Sequence, residues 1–269
     1  LFDPQMQASL EARLLLEEDL KKALDQQDLD VFYQPQVDAQ GRLIGVEALT
    51  RWTHPQRGSI SPAEFIPLAE ESGLILQIGD FVLKQVAQTL SKWAESDKLS
   101  GLTIAMNVSA HQLQQVDFVA QIAAFIKHYG FQPDRLKLEL TESMMLIDIQ
   151  DSIDKMQRLK ALGVQFSMDD FGTGYSSLLS IKNLPLDQLK IDQNFVQDLF
   201  DDDSAEILIT TILSMSKALG LSVVAEGVET QAHYQKLMQL GCKEFQGYYF
   251  AKPLPYPDLM QYFIDQNSH

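Results

Sequence analysis

Oxygen-bearing side chains and one amine recur at the ends of apolar runs along this chain: Glu47, Asn107, Glu139, Asp169 with Asp170, Lys190 with Asp192, Glu226 and Gln246. Carboxylates and amides without histidine or cysteine suit hard cations such as Mg²⁺ or Mn²⁺, and also Ca²⁺. Adjacent Asp169 and Asp170 allow a bridging carboxylate and a second ion. Two ions about 3.5–4 Å apart are a recurrent arrangement for cleaving phosphodiesters. Lys190 between Leu189 and Ile191 could hold or orient an attacking water and offset the excess negative charge. Each residue also has a plain reading. Glu47 could be a solvated strand residue, although its neighbours Val46, Ala48 and Leu49 are apolar and burial without a partner is costly. Glu142 could cap a turn, and Asp169-Asp170-Phe171-Gly172 could be no more than one. The series as a whole, one group per strand end, is what points to a metal site at the mouth of a barrel.

The elements that must position these groups are readable. Apolar or β-branched runs at Val31–Val37, Leu43–Trp52, Leu102–Val108, Leu136–Leu140, Val164–Met168, Gln188–Ile191, Ser222–Ala225 and Glu244–Phe250 predict eight strands, most of them separated by helical patterns. This predicts an α/β (β/α)8 barrel, in which functional residues gather at the C-terminal strand ends. The first two strands are joined only around Ala39-Gln40-Gly41, too short for a parallel crossover, so the first pair should be antiparallel. Ser61-Pro62-Ala63-Glu64 and Ser109-Ala110-His111-Gln112 are helix-start boxes. A helix from about Ser204 to Leu219 should put Leu208, Ile212, Met215 and Leu219 on one stripe, with Asp203 as N-cap. A first helix from about Ala8 to Gln27, with Leu10, Leu14, Leu16, Leu20 and Leu24, reads as a lead-in or linker.

Composition limits the possible partners. The formal charge is −16, from 37 acidic and 21 basic residues. That disfavours a binder of polymeric nucleic acid or of anionic membrane, which needs a basic face, but leaves room for a small phosphate ligand drawn by metal ions. No apolar run is long enough to span a bilayer, and no signal peptide is evident. The only cysteine, Cys242, reads as a small buried residue and suits a reducing compartment. Asn107-Val108-Ser109 matches a glycosylation sequon, but Ser109 is better explained as a helix cap. Gly172-Thr173-Gly174 fails as a dinucleotide fingerprint because Ser177 stands where the third glycine is needed.

From Asp30 to Pro255 the chain resembles the EAL-domain family of cyclic-di-GMP phosphodiesterases. The motifs stand in order: Tyr33-Gln34-Pro35, Glu47-Ala48-Leu49-Thr50-Arg51-Trp52, Asn107-Val108-Ser109 and Glu139-Leu140-Thr141-Glu142. They continue with Asp169-Asp170-Phe171-Gly172-Thr173-Gly174-Tyr175-Ser176-Ser177-Leu178, Lys190-Ile191-Asp192, Ala225-Glu226-Gly227-Val228-Glu229-Thr230 and Gln246-Gly247-Tyr248. The resemblance implies hydrolysis of cyclic-di-GMP to linear pGpG with two Mg²⁺ or Mn²⁺ ions, Ca²⁺ being a possible inhibitory occupant. It implies Glu47, Asn107, Glu139, Asp169 and Asp170 as metal ligands and Lys190 at the water or substrate. Glu226 would be general base or a ligand through water, and Arg51 a phosphate clamp. Gln34, Leu49, Asp192 and Gln246 would contact the dinucleotide, and Glu142 would support the loop from Asp170 to Ser177. It also implies a homodimer in the cytoplasm. Residues 1–29 look like the tail and linker of a preceding GGDEF domain, and 30–269 like the barrel itself. A sensor domain and an inner-membrane anchor in the parent protein stay open. Two rival functions remain: a cyclic-di-GMP receptor that hydrolyses little, and a purely structural partner of a missing domain.

Overall fold

The structure is a computed structural model describing residues 4–26, 28–141, 144, 148–172 and 182–266. Helix α1 (Pro4–Gln26) leads into the hairpin β1 (Leu29–Asp38) and β2 (Leu43–His54), followed by a short β3 (Gly58–Ile60). Then come α2 (Pro62–Ser72), α3 (Ile75–Ala94), β4 (Thr103–Asn107), α4 (Ala110–Gln114), α5 (Phe118–Tyr129), β5 (Leu136–Thr141) and α6 (Ile149–Leu162). The remainder is β6 (Gln165–Phe171), β7 (Gln188–Ile191), α7 (Gln193–Gln197), α8 (Asp203–Leu219), β8 (Ser222–Ala225), α9 (Gln231–Leu240), β9 (Glu244–Gln246) and α10 (Tyr256–Gln266).

Strands β2, β4, β5, β6, β7, β8 and β9 run parallel in that order. β1 closes the barrel, antiparallel to both β2 and β9. The expected antiparallel first pair follows from the turn. Asp38 Oδ1 accepts from the amides of Gln40 (2.8 Å) and Arg42 (3.0 Å), and Gly41 takes φ +75°. So tight a reversal returns the chain beside itself and leaves no length for a crossover helix. β3 pairs only with the far end of β2, outside the eight-stranded ring. Its three residues, Gly58–Ile60, carry too little pattern to be seen in the sequence.

Inside the ring, β2 and β4 approach closely at Gly45, where a Cβ would lie 2.4 Å from Thr103 Oγ1. Outside it, α3 lays Ile78, Val82, Val86, Leu90 and Trp93 on the barrel. Leu16, Leu20 and Ala23 of α1 are buried against the same core, while Leu14 is 54% exposed rather than part of the buried stripe. Asp19 of α1 meets His54 Nε2 at 3.3 Å, and Arg13 meets Glu71 of α2 at 2.5 Å. Both helix starts hold, but only the second as a full box: Ser109 and Gln112 bond reciprocally, whereas Ser61 caps α2 by accepting from the Ala63 amide behind Pro62.

Two expectations are corrected. In α8 the buried stripe is Ala205, Ile209, Ile212 and Ser216, whereas Leu208 and Leu219 are 40% and 37% exposed, and the N-cap is Asp202, not Asp203. The last strand ends at Gln246 instead of running to Phe250. The cause is Gly247, where a Cβ would fall 2.2 Å from the Val228 carbonyl oxygen. The chain turns there, held by Val228 N–H to Gln246 O (3.1 Å) and Tyr249 N–H to Val228 O (2.9 Å).

Candidate metal centre and substrate cleft

Parallel strands bring their C-terminal ends to one rim, and the barrel register stacks the candidate site residues there. Glu47 sits level with Ala105, Asn107 with Glu139, and Lys190 with Val224. Inward-facing positions alternate along each strand, so a polar residue at one of them is enclosed by its neighbours from other strands.

Lys190 is the centre of the arrangement. It is 1% exposed and its ammonium reaches four carboxylates: Glu226 Oε1 at 2.8 Å, Glu139 Oε2 at 2.9 Å, Asp169 Oδ1 at 3.3 Å and Glu47 Oε2 at 3.4 Å. Burial penalises the charged lysine, but these carboxylates outweigh it and hold its pKa well above the ordinary value. Burial also opposes ionisation of Glu47. Lys190, together with hydrogen bonds from Gln246 and Asn107, overcomes that and keeps the Glu47 carboxyl below the usual range. Asn107 Nδ2 donates to Glu47 Oε1 at 2.8 Å and Gln246 Nε2 to Glu47 Oε2 at 2.5 Å.

One cation cannot serve four anions equally. Burial and then the Glu47 charge push the Glu139 carboxyl well up. Burial, only partly offset by Lys190, raises Glu226 to about 8. Glu139 Oε1 is fully enclosed and has no hydrogen-bond partner. Ligand atoms of Glu47, Glu139 and Asp169 lie within 4.8 Å of one another. An all-oxygen donor set with an unpartnered buried carboxylate oxygen fits a hard divalent cation, whose charge would favour the ionised Glu139 that burial disfavours.

Asp170 stands apart from that trio. The β6–β7 register slips between Met168 and Phe171, and Asp170 takes φ +54°, the one positive-φ non-glycine residue among those described. A bulge and a left-handed residue next to a site re-aim side chains that a regular strand would bury or expose in alternation. Burial and the neighbouring Asp169 and Asp192 charges raise Asp170 to about 6. Asp192 is buried and caps α7 by accepting from the Asn194 amide at 2.8 Å.

The cleft above the carboxylates, about 360 Å³, is lined by Gln34, Glu47, Leu49, Arg51, Glu226, Gln246 and Tyr248 among others. Gln34 accepts from Gln246 Nε2 at 3.1 Å, and Gln36 donates to Gln246 Oε1 at 2.9 Å. Gln36 escaped the sequence analysis. Its only signal was a second glutamine two residues after Gln34, on the same strand face. Arg51 donates to Thr50 O at 2.9 Å and lies 6.0 Å from the Phe32 ring centroid. Leu49 and Arg51 also border a larger, mainly apolar cavity of about 750 Å³ beneath α2, α3 and α4. Glu142 and the loop from Thr173 to Ser177 fall outside the described residues.

Comparison with known proteins fits this geometry. The chain is 41% identical over 260 residues to the bifunctional diguanylate cyclase/cyclic di-GMP phosphodiesterase MucR of Pseudomonas aeruginosa, covering 96% of the chain and 38% of MucR. It is 38% identical to the cyclic di-GMP phosphodiesterase PdeR of Escherichia coli, covering 95% of the chain and again 38% of the relative. The chain thus spans well under half the length of these relatives. The solved structure of the P. aeruginosa MucR phosphodiesterase in complex with c-di-GMP superposes with a TM-score of 0.88 at 41% identity, over 91% of this chain and 99% of that one. Residues 17–253 match the EAL domain model, and with the barrel and its acidic rim in place the chain belongs to the EAL domain family.

Proposed function

We propose that this barrel hydrolyses one phosphodiester bond of cyclic di-GMP, giving linear pGpG. The observation that carries the reading is the buried Glu47–Glu139–Asp169 cluster around Lys190, with Glu139 Oε1 left without a partner. The kinship to proteins named as cyclic di-GMP phosphodiesterases supports the substrate. Glu47, Asn107, Glu139, Asp169 and Asp170 would hold two Mg²⁺ or Mn²⁺ ions, Ca²⁺ acting as an inhibitory substitute. Bound there, the ions would acidify a water and offset charge growing on the phosphate oxygens.

The chain's own groups do the rest. Glu226, at the cleft wall and 2.8 Å from Lys190, takes the proton of the attacking water. Lys190 orients that water and balances the carboxylates around it. Arg51 clamps a phosphate at the cleft edge. Gln34, Leu49, Asp192 and Gln246 contact the dinucleotide, and Glu142 steadies the loop after β6. In the working protein we infer a homodimer in the cytoplasm, with residues 1–29 joining a GGDEF or sensor domain to the barrel at 30–269. This fragment would contact neither membrane nor polymeric nucleic acid. Among the described residues no helix is long and apolar enough to cross a membrane.

Incubation of the purified chain with cyclic di-GMP and Mn²⁺, with a chelator control, tests the reading by product chromatography. Metal-dependent pGpG is the expected product. Tight binding with the substrate left intact would convert the enzyme into a receptor.

A further inference from the structure

Strand β1 is the one ring strand that runs against the others, and it lies between β2 and β9, which carry Glu47 and Gln246. Residues two apart on a strand face the same way, so Gln34 and Gln36 both enter the barrel. The register sets Gln34 level with Glu47 of β2. It sets Gln36 level with Gln246 of β9 on one side and with Gly45 of β2 on the other. Gly45 adds no side chain there, which leaves the space beside Gln246 to Gln36. Gln34 borders the cleft, whereas Gln36 lies behind it and is 1% exposed. Gln36 is thus a fully enclosed polar side chain with no part in the steps above.

The Gln246 amide has two hydrogens and one oxygen, and its neighbours are not interchangeable. An ionised Glu47 can only accept. Gln246 Nε2 donates to Glu47 Oε2 at 2.5 Å and to Gln34 Oε1 at 3.1 Å, so both hydrogens are committed. Gln34 is itself held, donating from Nε2 to Ala251 O at 3.3 Å. The remaining atom, Gln246 Oε1, accepts from Gln36 Nε2 at 2.9 Å. Turned over, the amide would set its oxygen against the Glu47 carboxylate and its hydrogens against those of Gln36. Two glutamines of one strand therefore grip a third from both ends and leave it a single orientation.

From this geometry we propose that Gln36 is a positioning residue: acting through Gln246, it fixes the Glu47 carboxylate for a divalent cation. This rests on the cation site read above and extends it to a residue that touches neither cation nor substrate. Glu47 Oε1 is held by Asn107 from β4 and Oε2 by Gln246 from β9. Without Gln36, Gln246 Oε1 loses its buried partner and both amide orientations become open. Glu47 then has no fixed donor on that side, and partners behind a metal ligand matter because they orient it. The antiparallel β1 has a use in this account, since it presents Gln34 beside Glu47 and Gln36 beside Gln246 at once.

The test is calorimetric titration of Mn²⁺, without substrate, into the wild-type chain, Gln36→Met, Gln36→Leu, Gln246→Met and the Gln36→Met/Gln246→Met double variant. The expected Mn²⁺ dissociation constant of Gln36→Met is higher by roughly 10-fold, the lower end of what a lost partner behind a metal ligand costs. Gln36→Leu, which differs in shape, shows the same loss, because the missing feature is the donor and not the volume. Gln246→Met is weakened at least as much, and adding Gln36→Met to it changes nothing further, as expected for two residues acting in series. The Mn²⁺ concentration for half-maximal hydrolysis of cyclic di-GMP shifts by the same factor in Gln36→Met. A wild-type dissociation constant in either Gln36 variant overturns the proposal, even if its thermal stability falls. A further loss in the double variant overturns the route through Gln246. A wild-type chain that binds no Mn²⁺ overturns the cation site itself, and the role of Gln36 with it.

Discussion

Each end of the barrel encloses a buried lysine, and the two are treated differently. At the N-terminal ends of the strands, Lys137 donates to Gln188 Oε1 at 2.9 Å. Gln188 in turn donates to Ser222 Oγ at 3.1 Å and to Glu244 Oε2 at 2.6 Å. One ammonium, one carboxylate and neutral groups between them make a closed set. At the C-terminal ends, Lys190 faces four carboxylates, and Glu139 Oε1 has no partner. Fully ionised, that set has three negative charges too many. Burial of polar groups is tolerated when they are mutually satisfied and is costly otherwise. The closed network is therefore what stability alone would build. The open one is a stability cost that a cation from solution would offset.

The difference can be broken in several ways. The largest expected effect is on Glu47→Ala, which removes the carboxylate bound by Asn107, Gln246 and Lys190 at once. Turnover of cyclic di-GMP should fall by about a thousandfold or more, on the scale of losing a preorganised electrostatic group, with retention of wild-type rate contradicting the site. Lys190→Met should cost about 3–5 kcal/mol in chemical denaturation at neutral pH, because it strands buried charges, and Mn²⁺ should restore more stability to this variant than to wild type. Lys137→Met should cost only about 1–3 kcal/mol. Its kcat and KM should stay near wild type, and adding Glu244→Gln should recover part of the loss since both ends of that pair are then neutral. If Lys137→Met impaired catalysis as much as Lys190→Met, the two ends would not be functionally distinct.

The smallest effect is on pH dependence. Burial raises Glu226 to about 8 and Asp170 to about 6, and also pushes up Glu139, in the cation-free protein. Glu226 then binds more protons folded than unfolded between about pH 5 and 8, and Asp170 does so over the lower part of that window. Stability of the cation-free protein should fall as pH rises through that window. A saturating divalent cation should flatten the slope, which thermal melts across the window with and without Mn²⁺ would reveal.

The rim was readable in the sequence because its chemistry is out of place locally. Lys190 stands inside Leu189–Ile191, and Glu47 inside Val46–Leu49, where an unpaired charge is hard to explain. One such residue per strand end, on a chain of alternating strand and helix patterns, then pointed to the rim where the structure gathers Glu47, Glu139, Asp169, Lys190 and Glu226. The same logic failed at the opposite end. Lys137 stands between Leu136 and Leu138, the same local signal as Lys190, but near the start of its strand, where an argument built on C-terminal strand ends gave it no weight, and Gln188 is the first residue of its strand. The turn after β9 depends on backbone contact between Gly247 and Val228, distant in sequence, and an apolar run gave no hint of it. In α8 apolar residues cover more than one stripe, and the buried one includes the small residues Ala205 and Ser216. Periodicity cannot choose between two apolar faces of one helix. Nor could it foresee the left-handed backbone of Asp170, which the bulge in β6 imposes.

The most direct test is a calorimetric titration of Mn²⁺ into the wild-type chain, Lys137→Met and a Glu47→Ala/Glu139→Gln double variant, without substrate. Saturable binding at one or two sites, accompanied by proton release, is expected for the wild type and for Lys137→Met and should be lost in the double variant. Equal binding by all three, or none by the wild type, would contradict a cation site at the acidic end of the barrel.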